Sequence, residues 1–141
     1  MEYFTLGDLQ KEINRRQKTR NFWSEEELIR HFRCLVETHA YLESMSIAHR
    51  DIKPQNIFIS LDENQSQVLK VGDLGCAINN TTPGTESKTV IGTPLYLSPL
   101  LRSAYVSMQF GRGTGETEHD IYKSDVYSLG LTFLFLSLIH I

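Results

Sequence analysis

The chain has 141 residues, of which 40% are hydrophobic and 22% are charged, so it can build a packed core and is too apolar for wholesale disorder. Seventeen acidic against fourteen basic residues give a net charge of −3, which argues against nucleic-acid binding because that needs a basic face. No signal peptide or membrane span is predicted. Two cysteines, Cys34 and Cys76, cannot form a disulfide framework, so we expect a reducing compartment, the cytoplasm.

Two helices are predicted in the first third of the chain. The first covers about residues 7–18. The second begins after Ser24, a good N-cap, and Glu27 stands three positions later, which makes a capping box. Apolar residues then recur at helical spacing to about Ser44 and predict one buried stripe, made of Leu28, Phe32, Leu35, Val36 and Leu42.

The middle and end of the chain predict a small hairpin and one more helix. Apolar runs at residues 57–59 and 68–71, separated by a turn cluster at residues 62–64, are typical of a β-hairpin. We expect residues 76–102 to be extended, residues 110–120 to be a polar, glycine-rich insertion, and residues 124–141 to form a central helix. Periodicity alone therefore indicates an α+β domain.

A stretch from His49 to Asn56 carries the residues that point to chemistry. It places Asp51, Lys53 and Asn56 between a helix and a strand, and Asp73 follows the hairpin. Phosphoryl transfer needs these groups: one carboxylate for the nucleophile's proton, an amide oxygen and a second carboxylate for Mg²⁺, and a lysine for developing charge. We call residues 49–56 the Asp51 loop.

These residues resemble the protein kinase family. The match is to its catalytic loop, H-R-D-x-K-P-x-N, and to its D-F-G element, here with Leu74 in place of phenylalanine. The resemblance implies that Asp51 is the catalytic base and that Lys53 contacts the γ-phosphate of ATP. It also implies that Asn56 and Asp73 are ligands of Mg²⁺.

Three further segments resemble the same family. Residues 92–99 are similar to the end of an activation segment, in which Thr93 would bridge the base and the lysine. Residues 123–130 are similar to the start of the central helix, where Asp125 would accept backbone hydrogen bonds from the catalytic loop. Residues 1–9 are similar to the hinge that binds adenine. The nucleotide contacts implied by the resemblance are Glu2, Phe4, Asp8, Lys53, Gln55, Asn56, Phe58 and Asp73.

The resemblance also implies a substrate class and a mode of control. A lysine two residues after the base is typical of kinases that phosphorylate serine or threonine in proteins. Arg50 beside Asp51 implies control by an upstream kinase that phosphorylates the activation segment. The candidate sites are Thr82, Thr85, Ser87 and Thr89.

The resemblance covers only part of a kinase domain. No glycine-rich loop or strand lysine precedes the hinge, so the small lobe is expected to be missing and the domain truncated at both ends. The glycines of residues 111–115 follow the catalytic residues and lack the spacing of such a loop. Leu100 occupies the place of a family glutamate, so the activation segment is expected to be less firmly anchored.

Two other functions compete with that of a serine/threonine kinase. A kinase-like remnant could serve as a non-catalytic binding or regulatory protein, but the four large-lobe catalytic residues are all present. A small-molecule phosphotransferase of related fold normally lacks the Lys-Pro step at Lys53 and the Gly-Thr-Pro-x-Tyr segment at residues 92–96, both present here. The missing small lobe predicts negligible phosphotransfer by residues 1–141 alone.

Overall fold

The structure, a computed structural model, describes residues 6–79 and 87–138. Within these ranges the chain forms four helices, six short strands and three single-turn 3₁₀ helices. The helices are α1 (Leu9–Thr19), α2 (Glu25–Ser44), α3 (Pro99–Gln109) and α4 (Ile121–Leu138). The strands are β1 (Ile47–Ala48), β2 (Ile57–Leu61), β3 (Gln67–Val71), β4 (Ile78–Asn79), β5 (Ser87–Thr89) and β6 (Glu116–His119). The 3₁₀ turns are Pro54–Asn56, Leu74–Cys76 and Pro94–Tyr96.

Side-chain caps fix where the first two helices begin. The Asp8 carboxylate accepts a hydrogen bond from Lys11 N at the start of α1. At the start of α2 the predicted capping box is present, because Ser24 Oγ accepts from Glu27 N and Glu27 accepts from Ser24 N. Such caps satisfy backbone N–H groups that have no partner inside the helix.

The buried side of α2 differs from the predicted stripe at three positions. Val36 is 41% exposed, whereas His31, Leu35 and His39 are buried. These three residues are four apart and therefore lie along one side of the helix. The prediction of the stripe considered only apolar residues, so it missed the buried histidines His31 and His39.

Antiparallel pairings bring distant parts of the chain side by side. The predicted hairpin forms from β2 and β3, with Ile57 opposite Val71. Outside it, β1 pairs with β4, so the segments before the Asp51 loop and after Asp73 also run together. The hydrogen bond from Gly72 N to Asn56 O, 2.9 Å long, continues the β2–β3 pairing toward the loop. The fold therefore places Asp73 next to the Asp51 loop.

One apolar core joins the helices to the hairpin. It contains buried side chains of α1, α2, β2, β3 and α4. The rings of Phe32 on α2 and Phe133 on α4 lie 4.1 Å apart between centroids. Burying a side chain of this size typically stabilises a fold by about 1.5–3 kcal/mol. The core therefore holds these helices and strands in place, and with them the polar residues at their ends. The fully buried members include Leu9, Ile13, Leu35, Ile57 and Ile59.

The second half of the chain is more regular than predicted. Residues 99–102, expected to be extended, form α3 together with residues 103–109, for which no element was predicted, and Pro99 lies in its first turn. Residues 116–119 of the expected insertion form β6, which pairs with β5. Helix α4 begins three residues before the predicted Ser124, because the Asp120 carboxylate accepts from Tyr122 N and Lys123 N. Its predicted last residues, 139–141, lie outside the described ranges.

None of the helices in the described ranges is long and apolar enough to cross a membrane.

Candidate active site

Asp125 sets the backbone shape of the Asp51 loop. Its carboxylate is 2% exposed and accepts hydrogen bonds from His49 N at 2.7 Å and Arg50 N at 2.8 Å. Arg50 has a φ of 66°, a left-handed conformation that costs a residue with a side chain about 1–2 kcal/mol. Two hydrogen bonds to a buried charge offset that cost, so Asp125 holds the loop in a conformation it would not adopt alone.

His49 connects the loop to the segment before Asp73. Its ring is fully buried, with Nε2 2.9 Å from Gly72 O and Nδ1 3.3 Å from Asp51 N. A backbone N–H can only donate and a carbonyl can only accept. The ring therefore accepts at Nδ1 and donates from Nε2, and it fixes Asp51 relative to Gly72.

Asp51, Lys53 and Thr93 form a closed triangle of polar contacts. Lys53 Nζ lies 2.8 Å from Asp51 Oδ2 and donates to Thr93 Oγ1 at 2.6 Å. Thr93 Oγ1 donates in turn to Asp51 Oδ1 at 2.7 Å. The Asp51 and Lys53 side chains are only 13% and 20% exposed, so the surroundings screen the pair less than they would a surface ion pair.

Asn56 completes the group around Asp51. Its side-chain nitrogen donates to Asp51 O at 2.8 Å and to Asp51 Oδ2 at 3.0 Å. Both of those oxygens can only accept, so the amide nitrogen must face Asp51 and the amide oxygen must face away. The orientation of the amide leaves its oxygen as a ligand atom for a cation.

The contacts around Asp51 favour its charged form. Burial raises the pKa of the Asp51 carboxyl, but hydrogen bonds from Lys53, Thr93 and Asn56 outweigh burial and bring the pKa below the ordinary value of 3.8. Burial also raises the pKa of the Asp125 carboxyl, against the opposing hydrogen bonds from His49 N and Arg50 N. Asp51 is thus a carboxylate at neutral pH, able to accept a hydrogen bond from an incoming hydroxyl.

Asp73 lies in an exposed turn beside the loop. It has a left-handed φ of 56°, and its carboxylate accepts from Gly75 N at 3.3 Å to cap the 3₁₀ turn at residues 74–76. Backbone strain of this kind is common at functional sites. The turn presents a carboxylate to solvent, and Gly72, the residue before it, donates its N–H to Asn56 O.

The residues present fit Mg²⁺ when it is bound together with a phosphate ligand. Mg²⁺ prefers oxygen ligands and is usually held by one or two protein groups plus phosphates and water. The Asn56 amide oxygen and the Asp73 carboxylate supply two such groups. In the described part of the chain there is no group of three or more His, Cys, Asp or Glu side chains that could hold a metal ion, so a cage built only from protein ligands is not found there.

Several of the expected nucleotide contacts lie together on the hairpin side. Asp8 forms an isolated bridge with Phe58, and a Cβ built on Gly72 would meet the Phe58 ring at 2.8 Å. The Phe58 ring therefore packs directly against the backbone of Gly72, the residue before Asp73. The Gln55 side chain is exposed and donates to Gln10 Oε1 at 3.4 Å. Glu2 and Phe4 lie outside the described residues.

Residues 87–98, which we call the Thr93 segment, approach the Asp51 loop closely at one glycine. Gly92 has a φ of 125°, and a Cβ built there would lie 2.7 Å from Arg50 O. The Arg50 side chain makes a further contact, in which its Nε donates to Cys76 O at 2.6 Å. The Arg50 carbonyl therefore lies against Gly92 of the Thr93 segment, and the Arg50 side chain reaches the turn after Asp73.

The expected control sites fall only partly within the structure. Thr82 and Thr85 lie outside the described residues. Ser87 and Thr89 belong to β5, and the Thr89 side chain is exposed. Leu100, at the second position of α3, is 53% exposed.

Sequence reasoning missed two contributors to the site. Ser128 Oγ donates to Tyr96 O at 2.8 Å and ties α4 to the Thr93 segment. Strand β6 pairs with β5, the strand at the start of the Thr93 segment. Ser128 was visible as a polar residue on an otherwise apolar helix, as Asp125 was, whereas β6 has no alternation of polar and apolar residues that could have revealed it.

The sequence as a whole is similar to several known proteins. A family model described as "Protein kinase domain" matches residues 1–139. "Probable serine/threonine-protein kinase nek3" of Dictyostelium discoideum is 37% identical over 130 residues, which cover 92% of this chain and 10% of that protein. Human "Serine/threonine-protein kinase Nek5" is 41% identical over 101 residues, covering 70% of this chain and 13% of that protein. Mouse "Serine/threonine-protein kinase Nek4" is 32% identical over 124 residues, which cover 88% of this chain and 13% of that protein.

Proposed function

Because the chain belongs to the eukaryotic-type serine/threonine protein kinase family, we propose that it carries the phosphotransfer site of an ATP-dependent protein kinase. The substrate is a serine or threonine hydroxyl of a protein. The observation that carries the proposal is the triangle of Asp51, Lys53 and Thr93, with Asn56 oriented against it.

In the proposed reaction Asp51 orients the substrate hydroxyl. Each carboxylate oxygen has more than one lone pair, so Asp51 can accept from the hydroxyl while it keeps Thr93, Lys53 and Asn56. The hydroxyl oxygen attacks the γ-phosphorus of ATP, the bond from that phosphorus to the β-phosphate oxygen breaks and ADP leaves, and the hydroxyl proton passes to Asp51. The lowered pKa of Asp51 fits a late proton transfer, because the carboxylate is then a weak base.

Lys53 stabilises the negative charge that develops on the transferred group. Its ammonium is already positioned by Thr93 Oγ1 and Asp51 Oδ2, so little reorganisation is needed during the reaction. Asn56 Oδ1 and Asp73 would hold Mg²⁺, and Phe58 and Asp8 would lie along the nucleotide. Bound MgATP supplies the γ-phosphoryl group and neutralises part of its charge.

The active protein is proposed to be longer than these 141 residues. The chain spans 10% to 13% of the length of the kinases nek3, Nek5 and Nek4 that it resembles. We propose that residues 1–141 are part of a kinase domain, that the small lobe which clamps the phosphates is outside them, and that alone they transfer little phosphate. A non-catalytic remnant is the competing function, and the intact Asp51 triangle argues against it.

Two finer proposals concern regulation and location. Arg50, whose carbonyl lies against Gly92 of the Thr93 segment, fits control by an upstream kinase acting at Thr82, Thr85, Ser87 or Thr89. An ATP-using enzyme whose two cysteines are free fits the reducing, ATP-containing cytoplasm.

The test is phosphotransfer from ATP to casein by the full-length protein that carries this chain. We expect Asp51→Asn to lower kcat by about 10²–10⁴-fold, with ATP affinity nearly unchanged because Asp51 faces the hydroxyl rather than the nucleotide. Glu63→Gln is the matched control, since it makes the same chemical change in the exposed hairpin turn. Undiminished turnover in Asp51→Asn would remove Asp51 from this role.

A further inference from the structure

The backbone just before Thr93 is held by a strand that the proposed chemistry does not use. Strand β5 pairs with β6 in antiparallel register, with Ser87 opposite His119 and Thr89 opposite Glu116. The pairing continues by one hydrogen bond, from Val90 N to Gly115 O at 3.1 Å. Only Ile91 and Gly92 separate this last contact from Thr93.

Strand β6 is itself fixed to the body of the protein at both ends. At its start, Gly115 is buried with a left-handed φ of 73°, and a Cβ built there would lie 2.5 Å from the sulfur of Met108 on α3. At its end, the His119 side chain is buried, and its Nδ1 lies 2.8 Å from Thr117 O, a contact within β6 itself. A small cavity beneath the paired strands is lined by Arg50, Thr89, Ile91, His119 and Ser128.

The other side of Thr93 is also held. Tyr96 N donates to Thr93 O at 2.9 Å, and Ser128 of α4 donates to Tyr96 O. Thr93 therefore lies between an upstream anchor at Val90 and a downstream anchor at Tyr96. Its hydroxyl must reach Asp51 and Lys53 at 2.7 and 2.6 Å, so a displacement of about 1 Å at either anchor would weaken both contacts.

We propose that residues 115–119 act as a brace that positions Thr93 through backbone pairing with β5. The brace does the anchoring that the exposed Leu100 cannot do from the start of α3. Gly115 and the strand after it are positioning residues, because they act on the reaction through Thr93 and touch no reacting atom.

The first test is amide hydrogen exchange in the chain, comparing Gly115→Ala with Gly111→Ala. Both glycines have positive φ, 73° and 66°, but a Cβ on Gly111 would meet nothing within 4 Å. The two variants therefore add similar backbone strain, and only the first also makes the exposed Met108 side chain move away from the start of β6. We expect the Val90 and Tyr96 amides to exchange about tenfold faster in Gly115→Ala than in the control, while Leu69 in the core strand β3 stays unchanged.

Two results would overturn the brace. One is equal Val90 exchange in the wild type and both variants. The other is faster exchange at Val90 with no change at Tyr96, which would show that the pairing does not reach Thr93.

A charge-reversal pair tests the brace without altering a glycine. Lys88 and Glu118 face each other across the two strands at 3.5 Å, and their side chains are 62% and 67% exposed, so changes there leave the core intact. Glu118→Lys places like charges across the strands and should speed Val90 exchange by about twofold. Adding Lys88→Glu should restore the wild-type rate, and failure of both effects would count against the brace.

A kinetic readout rests on the proposed function. In the full-length kinase, Gly115→Ala should lower kcat about tenfold with the KM for ATP unchanged, and Gly111→Ala should change neither. If the wild-type protein transfers no phosphate, the proposed function fails, and the exchange comparison still decides the brace. A change in KM alone would overturn the positioning role.

Discussion

The Asp51 loop and the turn that carries Asp73 adjoin each other but are built in opposite ways. In the loop, Asp51 contacts Lys53, Thr93 and Asn56, and Asp125 fixes the backbone from beneath. In the turn, Asp73 is exposed and its carboxylate caps its own 3₁₀ turn through Gly75 N at 3.3 Å. One carboxylate is positioned by the protein, and the other is presented to solvent.

This difference teaches how the two carboxylates can divide the work. A group that orients a hydroxyl must already be in place, because its geometry sets the rate. A ligand of a hydrated cation can remain in contact with solvent, because Mg²⁺ keeps several waters and phosphate oxygens around it. The comparison therefore predicts that substitutions in the turn affect activity alone, and that substitutions in the loop also affect the fold.

The largest effect is expected from Asp73→Asn in the full-length kinase. Loss of this proposed metal ligand should lower kcat about 10³-fold, with the free energy of unfolding changed by less than about 0.5 kcal/mol because the side chain is exposed. The measurements are turnover across a Mg²⁺ titration and urea unfolding. A strongly destabilised Asp73→Asn protein would contradict the expectation that substitutions in the turn affect activity alone, because the turn would then also contribute to stability.

Asp125→Asn should be the most damaging change to stability. The asparagine amide has one oxygen, so it can accept from only one of the backbone N–H groups of His49 and Arg50. Its NH₂ group faces the other N–H, and that buried donor loses its partner. We expect the free energy of unfolding to fall by about 3 kcal/mol, measured in urea. Asp120→Asn, the control, should cost under about 0.5 kcal/mol because asparagine caps α4 equally well.

Thr93→Val tests the triangle with little change in volume. The valine cannot bridge Lys53 and Asp51, so kcat should fall about tenfold, while Thr93→Ser, which keeps the hydroxyl, should retain most of the activity. Equal activity in the valine variant and the wild type would mean that Lys53 and Asp51 hold their positions without the bridge.

A smaller effect is expected from pH, at a histidine away from both regions. Burial, assisted by the charge of Arg30, lowers the pKa of His31 from 6.5 to about 4. The folded state therefore disfavours the proton, and the stability that His31 contributes is present above pH 6.5 and lost as the pH falls toward 4. We expect about 1 kcal/mol less stability at pH 5.5 than at pH 7.5.

His31→Gln should flatten this pH dependence in urea unfolding. Asp51 stays ionised over the same range because its pKa lies below 3.8. Activity lost between pH 6.5 and 5 should therefore follow unfolding, and a loss without unfolding would contradict this assignment.

Local sequence signals predicted the elements whose determinants are close together in the chain. The Ser24–Glu27 box and the hairpin turn at residues 62–64 each involve neighbours, and both are confirmed. The motif spacing in the Asp51 loop also predicted which residues lie together, because Asp51, Lys53 and Asn56 share one short loop. The roles of these residues in catalysis remain predictions.

The elements that sequence reasoning missed depend on distant partners. Helix α3 begins without a side-chain cap and buries only Leu101, so its periodicity is weak. Strands β5 and β6 are polar and find each other across about 30 residues. The Arg50 backbone is left-handed only because Asp125, 75 positions later, accepts its N–H. No local pattern carries such information.

The separation between Asp125 and the Asp51 loop also has a consequence during synthesis. At translation rates of about 5–20 residues per second, the ribosome adds Asp125 roughly 4–15 s after the loop that it stabilises, since 75 and 76 positions separate them. Helix α2 and the hairpin can already pack in that interval because their contacts are short in sequence. The nascent chain can therefore pack α2 against the hairpin before α4 completes the core and before Asp125 shapes the site, and a ribosome paused before residue 125 would carry a folded hairpin with an unformed Asp51 loop.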